Sequence, residues 1–422
     1  ALVKLCTRAS TPAQAPAAVR ALAALASDPT TEAGEAARFA ALEALRDAAS
    51  ARSLDPAGGA RAATSATALS AFVREFPSEF RRYEEKALAF SAARMSGTGG
   101  AVDGGGGGGG GKKRGRKAAG GGVISPPCRT LCAAIELACG CFMPRGGSTS
   151  SASLARAGLA SGREEGLVST VFALLKADGQ PSGEGEMAIE ERAELRLVGS
   201  TRVLRACMFS GRVQTLLTPE RWHALAWTLM DPSERVRAGF LRELCRCLDQ
   251  TGGGGRAGEG VGGAALGGPS TLRFMAYLCL AAFEAEPLRR EATLAISKKV
   301  RQLRLAHAAA SGEVLSSAEG DEAGGGGAAL QASMPEYVVP YAIHLLAHHP
   351  DFPVDKNDKI RMKNLQRYLE FLLGPLVGGQ AGEADNLSLL LQMLDTITTS
   401  YEDALETSSS RINLTARVAR QV

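Results

Sequence analysis

Apolar and polar residues follow a helical period over residues 218–249, which predicts two short helices joined by a turn. Their apolar positions are Trp222, Leu225, Ala226 and Leu229 in the first helix and Val236, Phe240, Leu244 and Cys247 in the second. Thr218 and Pro219 have the order of an N-cap and a first helical residue. Asp231 is expected to cap the second helix, with Glu234 completing a capping box. Two helices this short cannot bury both apolar faces alone, so they require similar neighbours, as in an α-solenoid.

The same period predicts helices along most of the remaining chain. Their ranges are 11–27, 34–50, 62–76, 78–93, 127–143, 163–177, 186–209, 270–285, 288–307, 334–352, 356–373, 383–402 and 405–420. In the helix at 34–50, Phe39, Leu42 and Leu45 are expected to form the buried face. Aromatic residues make up only 5% of the chain, and Ala and Leu fill most apolar positions. This composition favours helix over strand.

The residues around the central turn follow a more specific pattern than a generic helical hairpin requires. Asp231 and Pro232 stand five residues before Val236 and Arg237, an arrangement that resembles the HEAT-repeat signature. In HEAT proteins the Asp and Arg of successive repeats form a ladder along the inner surface. An ordinary capped hairpin is the alternative interpretation. The predicted fold is all-α, a HEAT-repeat α-solenoid (an armadillo-like superhelix) with disordered glycine-rich insertions.

Three glycine-rich stretches interrupt the helical pattern. Composition of this kind is typical of flexible linkers. A solenoid tolerates long insertions, since each leaves from one turn between helices and loop closure costs little more as length grows. The predicted divisions are helical repeats at 1–96, a glycine-rich basic linker at 97–123, HEAT repeats at 124–250, a glycine-rich insertion at 251–268, a helical repeat at 269–308, a flexible insertion at 309–330, and HEAT repeats at 331–422.

Charge and cysteine content narrow the class of protein only slightly. A net charge of +4 over 422 residues does not by itself indicate a nucleic-acid or acidic partner. Nine cysteines, an odd number, lie mostly inside helical patterns, which fits buried thiols in a reducing compartment. No apolar run approaches the roughly 20 residues of a membrane span, so no membrane partner is predicted. The chain begins without Met, and we expect it to be a piece of a longer polypeptide.

No motif predicts an enzyme, a cofactor or a metal centre. The glycine runs at 104–111 and 252–255 lack the Lys-Ser/Thr of a phosphate loop. The cysteines between 128 and 141 lack the paired spacing of zinc knuckles and are expected in the core. His344 and His348 share one helix face, but no third ligand is evident. We therefore expect a non-enzymatic protein.

A basic cluster in the first linker is a candidate nuclear-localisation signal. Its residues are Lys112, Lys113, Arg114, Arg116 and Lys117. A basic tail that touches nucleic acid has the same form. A solvated charge cluster that keeps the linker soluble is the alternative.

Two predicted helices are strongly basic. The helix at 288–307 carries Arg289, Arg290, Lys298, Lys299, Arg301 and Arg304. Of these, Arg290, Lys298, Arg301 and Arg304 are expected in one arc opposite the apolar face. The helix at 356–373 carries Lys356, Lys359, Arg361, Lys363 and Arg367. Solvated faces are the usual explanation, and a shared surface for DNA or an acidic peptide is the functional one.

The segment 334–352 carries a stripe that is both aromatic and polar. Tyr337, Tyr341, His344 and His348 stand at i, i+4, i+7 and i+11. Aromatic side chains with a polar group suit surfaces that are wet when free and buried when bound. The stripe and the adjacent basic face of Arg301 and Arg304 are therefore a candidate docking surface. The alternative is that the tyrosines pack between helices.

Several blocks resemble the family of sister-chromatid cohesion regulators called precocious dissociation of sisters five, which are cohesin-associated HEAT-repeat proteins. The most specific block is MPEYVVPYAIHLLAHHPDF at 334–352. Further blocks are RLVGSTRVLRAC at 196–207, LLTPERWHALAWTLMDPSERVRAGFLRELCRCL at 216–248, LRFMAYLCLAAFEAEPLRREA at 272–292 and, more weakly, LVKLCTRASTPAQAPAAVRAL at 2–22. The glycine-rich insertions have no counterpart in that family.

The resemblance implies a non-enzymatic scaffold in the nucleus, associated with chromatin. Members of the family bind the kleisin subunit of the cohesin ring and the wings-apart-like release factor, and they help to set whether cohesin stays on chromatin. Direct contact with chromatin DNA through the basic faces is a further expectation. The competing interpretation is another HEAT or armadillo scaffold, such as a transport receptor or a condensin-type subunit.

Overall fold

Helices form nearly all of the regular structure in the computed structural model. It describes residues 2–8, 13–28, 30–50, 52–55, 59–96, 124–143, 161–182, 186–251, 269–317, 334–353, 357–377, 384–400 and 409–422. Within these ranges the backbone contains α- and 3₁₀-helices and no strand. They divide into two compact units, one ending at Leu216 and one beginning at Leu217. The prediction of an all-α HEAT-repeat solenoid is confirmed.

The first unit contains ten α-helices among its described residues, together with one 3₁₀ helix, Arg81–Tyr83. The α-helices are α1 (Leu2–Arg8), α2 (Gln14–Leu25), α3 (Glu32–Ala48), α4 (Gly59–Glu75), α5 (Pro77–Phe80), α6 (Glu84–Met95), α7 (Pro126–Cys141), α8 (Ser161–Lys176), α9 (Ile189–Phe209) and α10 (Gly211–Thr215). Helix α4 lies at the centre and packs against α2 and α7, and α7 also contacts α6 and α9.

The buried face predicted for α3 is wrong in part. Leu45 is buried, but Phe39 and Leu42 are 73% and 41% exposed. The helix instead turns its alanines inward, with Ala37, Ala41, Ala44 and Ala48 in the core. Small side chains allow close approach of neighbouring helices, and a pattern search weighted toward large apolar residues misses such a face.

The second unit contains eight α-helices among its described residues, three of them joined to short 3₁₀ segments. They are α11 (Pro219–Ala226), α12 (Glu234–Gln250), α13 (Pro269–Met275), α14 (Glu286–Ser317), α15 (Val338–Ala347), α16 (Lys359–Val377), α17 (Ala384–Ser400) and α18 (Ser409–Gln421). The 3₁₀ segments are Trp227–Met230 after α11, Ala276–Phe283 after α13 and Pro335–Tyr337 before α15. Helix α14 packs against α12 and α16, and α15 packs against α13, α18 and the 3₁₀ segment Ala276–Phe283.

The apolar faces predicted for α11 and α12 are confirmed. Trp222 and Leu229 are 2% exposed, and Val236, Phe240 and Leu244 are fully buried. In these helices the large apolar residues and the helical period agree, so the period alone identifies the core.

The turn between α11 and α12 differs in detail from its prediction. Helix α12 begins at Glu234, with Ser233 as N-cap and no side-chain cap, so the predicted capping box is not formed. The Asp231 carboxylate instead accepts the Ser233 N–H at 2.8 Å. Such a turn satisfies a backbone donor before the helix starts.

Arg237 connects this turn to the corresponding turn of the following repeat. Its Nη1 donates to the Asp231 carbonyl oxygen at 2.8 Å. Its Nε donates to Glu284 Oε1 at 2.5 Å, and Glu284 ends the 3₁₀ segment Ala276–Phe283 as Asp231 ends Trp227–Met230. The contact therefore joins successive repeats in the manner of the HEAT ladder.

The helix that precedes the insertion predicted at 309–330 is longer than expected. Helix α14 runs from Glu286 to Ser317, so residues 309–317 continue the helix. The expected linker at 97–123 and most of the expected insertion at 251–268 lie outside the described residues, as does the basic cluster at 112–117. Those expectations stay predictions.

All nine cysteines are free thiols, and all except Cys132 are buried. Burial raises the pKa of Cys139 to about 12, which is consistent with inert core thiols. No described helix is both long enough and apolar enough to cross a membrane.

Candidate partner-binding surface and histidine cluster

The predicted aromatic-polar stripe runs from the 3₁₀ segment Pro335–Tyr337 through α15 to His348, the residue after that helix, and it is only partly accessible. Tyr337, Tyr341 and His348 are half-buried, and His344 is 8% exposed. Burial raises the pKa of the Tyr341 hydroxyl, and the nearby Arg273 opposes that shift. The tyrosines therefore retain an exposed portion, whereas His344 points into the unit.

An aromatic core fixes α11 against the next repeat. Tyr277 is fully buried, and its hydroxyl donates to the Trp222 carbonyl oxygen at 2.6 Å. The ring centroids of Trp222 and Tyr277 are 5.3 Å apart, and Phe274 meets Tyr277 edge-to-face at 5.5 Å. This packing sets the position of His223, the residue after Trp222.

His223 meets His344 and His348 and completes a three-histidine cluster. The ring centroids are 5.1 Å apart for His223 and His344, 5.0 Å for His223 and His348, and 4.5 Å for His344 and His348. One ring nitrogen of each residue lies within 4.8 Å of the other two. The sequence identified two of these three residues. His223 was missed because its contact with α15 joins segments that are distant along the chain.

Both tryptophans of the chain flank the histidine cluster. Trp222 lies 5.1 Å from His223 and 6.1 Å from His344, measured between ring centroids. Trp227 stacks on His223 at 5.7 Å. His349 also contacts Trp227, at 5.5 Å, and burial lowers the pKa of its imidazole. The cluster is thus walled by aromatic rings and opens to solvent at the half-buried His348.

The basic residues predicted on one face of α14 have different environments. Arg304 binds the buried Glu336 carboxylate at 2.9 Å and donates to the Leu376 carbonyl oxygen at 2.7 Å. It therefore ties α14 to α16 and to the segment before α15. Lys298 pairs with Asp249 at 2.9 Å.

Arg290 and Arg301 are exposed and form no ion pair with any residue that the structure describes. Leu294 and Leu305 are exposed beside them, at 61% and 66%. The spacings of four, seven and four residues place Arg290, Leu294, Arg301 and Leu305 on one side of α14. We call these four residues the basic stripe.

A second group of exposed cations lies on the helix that packs against α14. Lys359 and Lys363 on α16 are exposed, and neither has an ion-pair partner among the described residues. Ile360, between them, is 75% exposed. Two adjacent helices thus present unneutralised positive charge together with uncovered apolar side chains, which is the composition of a binding surface for an acidic, partly apolar segment.

The fold defines a helical-repeat protein, and comparison with known proteins gives its family. The family model described as "Sister chromatid cohesion protein PDS5 protein" matches residues 1–419. The chain therefore belongs to the PDS5 family, which decides against the transport-receptor and condensin-type alternatives.

Individual relatives are similar at modest identity. "Sister chromatid cohesion protein PDS5 homolog B" of Gallus gallus is 25% identical over 228 residues, which cover 53% of this chain and 14% of that relative. Homolog B of Homo sapiens is also 25% identical over 228 residues, covering 53% of this chain and 13% of the relative. Homolog A-B of Xenopus laevis is 23% identical over 205 residues, covering 49% and 13%. The match thus spans a small part of each relative's length.

Proposed function

We propose that this chain is part of a regulator of sister-chromatid cohesion, a non-enzymatic nuclear scaffold that acts on chromatin. The observation that carries the proposal is the family match over residues 1–419. A helical-repeat fold with exposed basic and apolar side chains supports it, since repeat proteins act through extended binding surfaces. The proposed partners are the kleisin subunit of cohesin and the wings-apart-like release factor.

The basic stripe is the proposed docking surface for kleisin. Arg290 and Arg301 supply positive charge without a competing carboxylate, and Leu294 and Leu305 supply uncovered apolar area. An extended acidic segment with apolar side chains at intervals is complementary to this pattern. Lys359 and Lys363 extend the positive surface onto α16.

Tyr337 and Tyr341 are proposed as the aromatic part of the same surface. Arg304 contacts Glu336, the residue immediately before Tyr337. Helix α14 is therefore adjacent to the start of the aromatic-polar stripe. Arg304 itself contributes by holding this geometry, because its guanidinium is already bound to Glu336 and Leu376. His344, on α15, and His348, the residue after that helix, lie at the histidine cluster.

The test is direct binding of purified kleisin segments to the full chain carrying Arg290→Glu and Arg301→Glu. Reversal of both charges turns two attractions into repulsions, and we expect affinity to fall at least about tenfold, equivalent to about 1.4 kcal/mol. The matched control is Arg417→Glu on α18, an exposed arginine in the same unit without an ion-pair partner among the described residues.

The melting temperature of each variant separates binding from folding. Loss of kleisin binding in the double variant alone, with an unchanged melting temperature, supports the proposal. Equal loss in Arg417→Glu indicates a non-specific charge effect. Unchanged kleisin binding in the double variant contradicts the assignment of this surface, and the Tyr341→Ala variant then tests the aromatic part separately.

DNA is a second candidate ligand of the same positive surface. The observation in its favour is the set of exposed cations on two packed helices, since phosphate binding depends on such charge. Binding to duplex DNA of mixed sequence, measured at several salt concentrations, tests it. A salt slope that decreases in the Arg290→Glu, Arg301→Glu variant while kleisin affinity stays constant assigns the surface to DNA.

The basic cluster Lys112, Lys113, Arg114, Arg116 and Lys117 is proposed as a nuclear-localisation signal. Replacing all five residues by Gln in the full chain tests this in cells. Cytoplasmic retention of the variant supports the proposal, and unchanged nuclear accumulation contradicts it.

A further inference from the structure

We propose that His223, His344 and His348 form a binding site for one divalent transition-metal ion, with zinc as the best fit. His223 lies in α11, His344 lies in α15, and His348 is the residue that follows α15. More than a hundred residues of chain separate His223 from the other two. One nitrogen of each ring lies within 4.8 Å of the other two. Imidazole is a preferred ligand of zinc, copper and nickel, and three histidines with an open fourth position are a recurring zinc arrangement.

The spacing of the ring centres matches that of three imidazoles around one ion. Three imidazoles bound at about 2.0 Å to one tetrahedral ion place their ring centres about 5 Å apart. The observed separations are 5.1, 5.0 and 4.5 Å. A bound ion requires ring nitrogens about 3.3 Å apart, so small side-chain rotations must bring the nitrogens closer.

One hydrogen bond already prepares His348 as a ligand. Its Nδ1 lies 2.8 Å from the His344 carbonyl oxygen. A carbonyl oxygen can only accept, so Nδ1 carries the proton and Nε2 is the unprotonated ring nitrogen, the one that binds a metal ion in this tautomer. Metal-binding histidines commonly donate their second ring N–H to a backbone carbonyl, which fixes the ring and its tautomer.

Access and surroundings also fit a metal site. His223 and His344 are 5% and 8% exposed, whereas the half-buried His348 leaves a path from solvent. The flanking Trp222 and Trp227 pack against the His223 ring and limit its contact with water. His349 is not a fourth ligand in this arrangement, because its Nδ1 accepts the Asp351 N–H at 3.0 Å and the ring stands outside the cluster.

The proposal predicts that zinc connects α11 to α15 and so stabilises the second unit. The site is independent of the basic stripe, because it uses none of the stripe's residues. Its failure would leave the proposed kleisin surface untouched, and the reverse also holds.

The first test is metal binding to the untagged full chain, since a histidine tag would bind zinc itself. Titration with zinc chloride in a calorimeter should give one ion per chain, and excess zinc should raise the melting temperature until EDTA reverses the effect. Cobalt offers a local readout. Both tryptophans of the chain adjoin the cluster, so stoichiometric cobalt should quench most of the intrinsic fluorescence and show the visible absorption of a low-coordinate ion.

The second test uses matched histidine variants. His348→Gln removes the half-buried ligand with little change to the core, and His344→Gln removes a buried one. His307→Gln on α14 is the control, because His307 stands outside the cluster. Loss of zinc stoichiometry, thermal shift and cobalt quenching in the first two variants, with all three retained in His307→Gln, supports the site.

Three results would overturn the proposal. The wild-type chain could show no stoichiometric zinc binding and no cobalt quenching, which means that the histidines only pack against each other. Binding could persist in His348→Gln with a wild-type circular-dichroism spectrum. His307→Gln could lose binding to the same extent as the cluster variants, which places the ion elsewhere.

Discussion

Lys299 gives the sharpest prediction about stability. Its side chain is buried, with 2% of the residue exposed. The Nζ atom donates to the Leu248 carbonyl oxygen at 3.0 Å and to Thr251 Oγ1 at 2.9 Å. Burial lowers the pKa of Lys299 from 10.5 to about 8, the charge of Lys298 adds to this, and Asp249 opposes it. Burial in the folded protein therefore favours the neutral amine of Lys299 over its ammonium form.

The sign of the pH dependence follows from proton binding. Below about pH 8 the lysine is charged in both states, and the cost of burying the charge is fully present. Between about 8 and 10.5 the unfolded chain binds more protons than the folded one, so stability rises with pH. Since one pKa unit equals about 1.4 kcal/mol, the full difference is about 3 kcal/mol.

The assay is urea unfolding followed by tryptophan fluorescence at about pH 7 and about pH 10. Both tryptophans lie in the unit that contains Lys299, so fluorescence reports that unit. Lys299→Met is the reference variant, because it contains the same buried thiols as wild type. Those thiols titrate in the same pH range as Lys299, and they lower stability as the pH rises, whereas Lys299 raises it. Burial raises the pKa of Cys245 to about 12, for example, and its stabilising contribution is lost as the pH rises above the usual thiol range.

The predicted result is a relative gain of about 2 kcal/mol for wild type over Lys299→Met between the two pH values. The absolute effect of the substitution at neutral pH is less informative, because Met also removes two hydrogen bonds. Parallel pH profiles of wild type and Lys299→Met would refute the reasoning, since they would mean that Lys299 keeps an ordinary pKa in the folded protein.

Three further substitutions test the packing. Val236→Asp should unfold the second unit, because it buries a charge without a partner at a cost of several kcal/mol. Deletion of 252–267 should change the melting temperature little. Equal effects of the two changes would contradict the division into core and insertion. Arg304→Met should lower the free energy of unfolding, measured in urea, by about 3–5 kcal/mol, because it leaves the Glu336 carboxylate buried without its cation. This loss should largely disappear when Glu336→Gln is added. Additive losses from the two substitutions would contradict the pairing. Tyr277→Phe should cost about 1–2 kcal/mol through the lost hydrogen bond to α11, and a neutral result would show that this bond adds no net stability.

The sequence predicted helices and their cores well where large apolar residues follow the helical period. Val236, Phe240 and Leu244 are buried as expected, because period and residue size agree there. In α3 the two disagree. Phe39 is exposed and the alanines are buried, since neighbouring helices select the face that allows the closest packing. Residue size is then a poor guide to burial.

The candidate sites were less predictable because they depend on contacts between distant segments. Nothing local to His223 indicates that it faces His344, since the choice of neighbour for α11 is made by the packing around Tyr277. Arg304 lies within a run of basic residues, yet its partner Glu336 stands 32 residues farther along the chain. Charge pattern alone could not separate such a structural arginine from the exposed Arg301 on the same helix.

Co-purification from synchronised cells tests the central claim most directly. The full chain, expressed at its native level with a small non-histidine tag, is recovered from chromatin and its partners are quantified by mass spectrometry, with the Arg290→Glu, Arg301→Glu variant and Arg417→Glu in parallel. Membership of the PDS5 family and the proposed role in cohesion predict enrichment of the cohesin ring subunits, including kleisin, with wild type and Arg417→Glu, and their depletion with the double variant. Recovery of the chain without cohesin subunits, whether alone or with transport or condensin components, would contradict the proposed function.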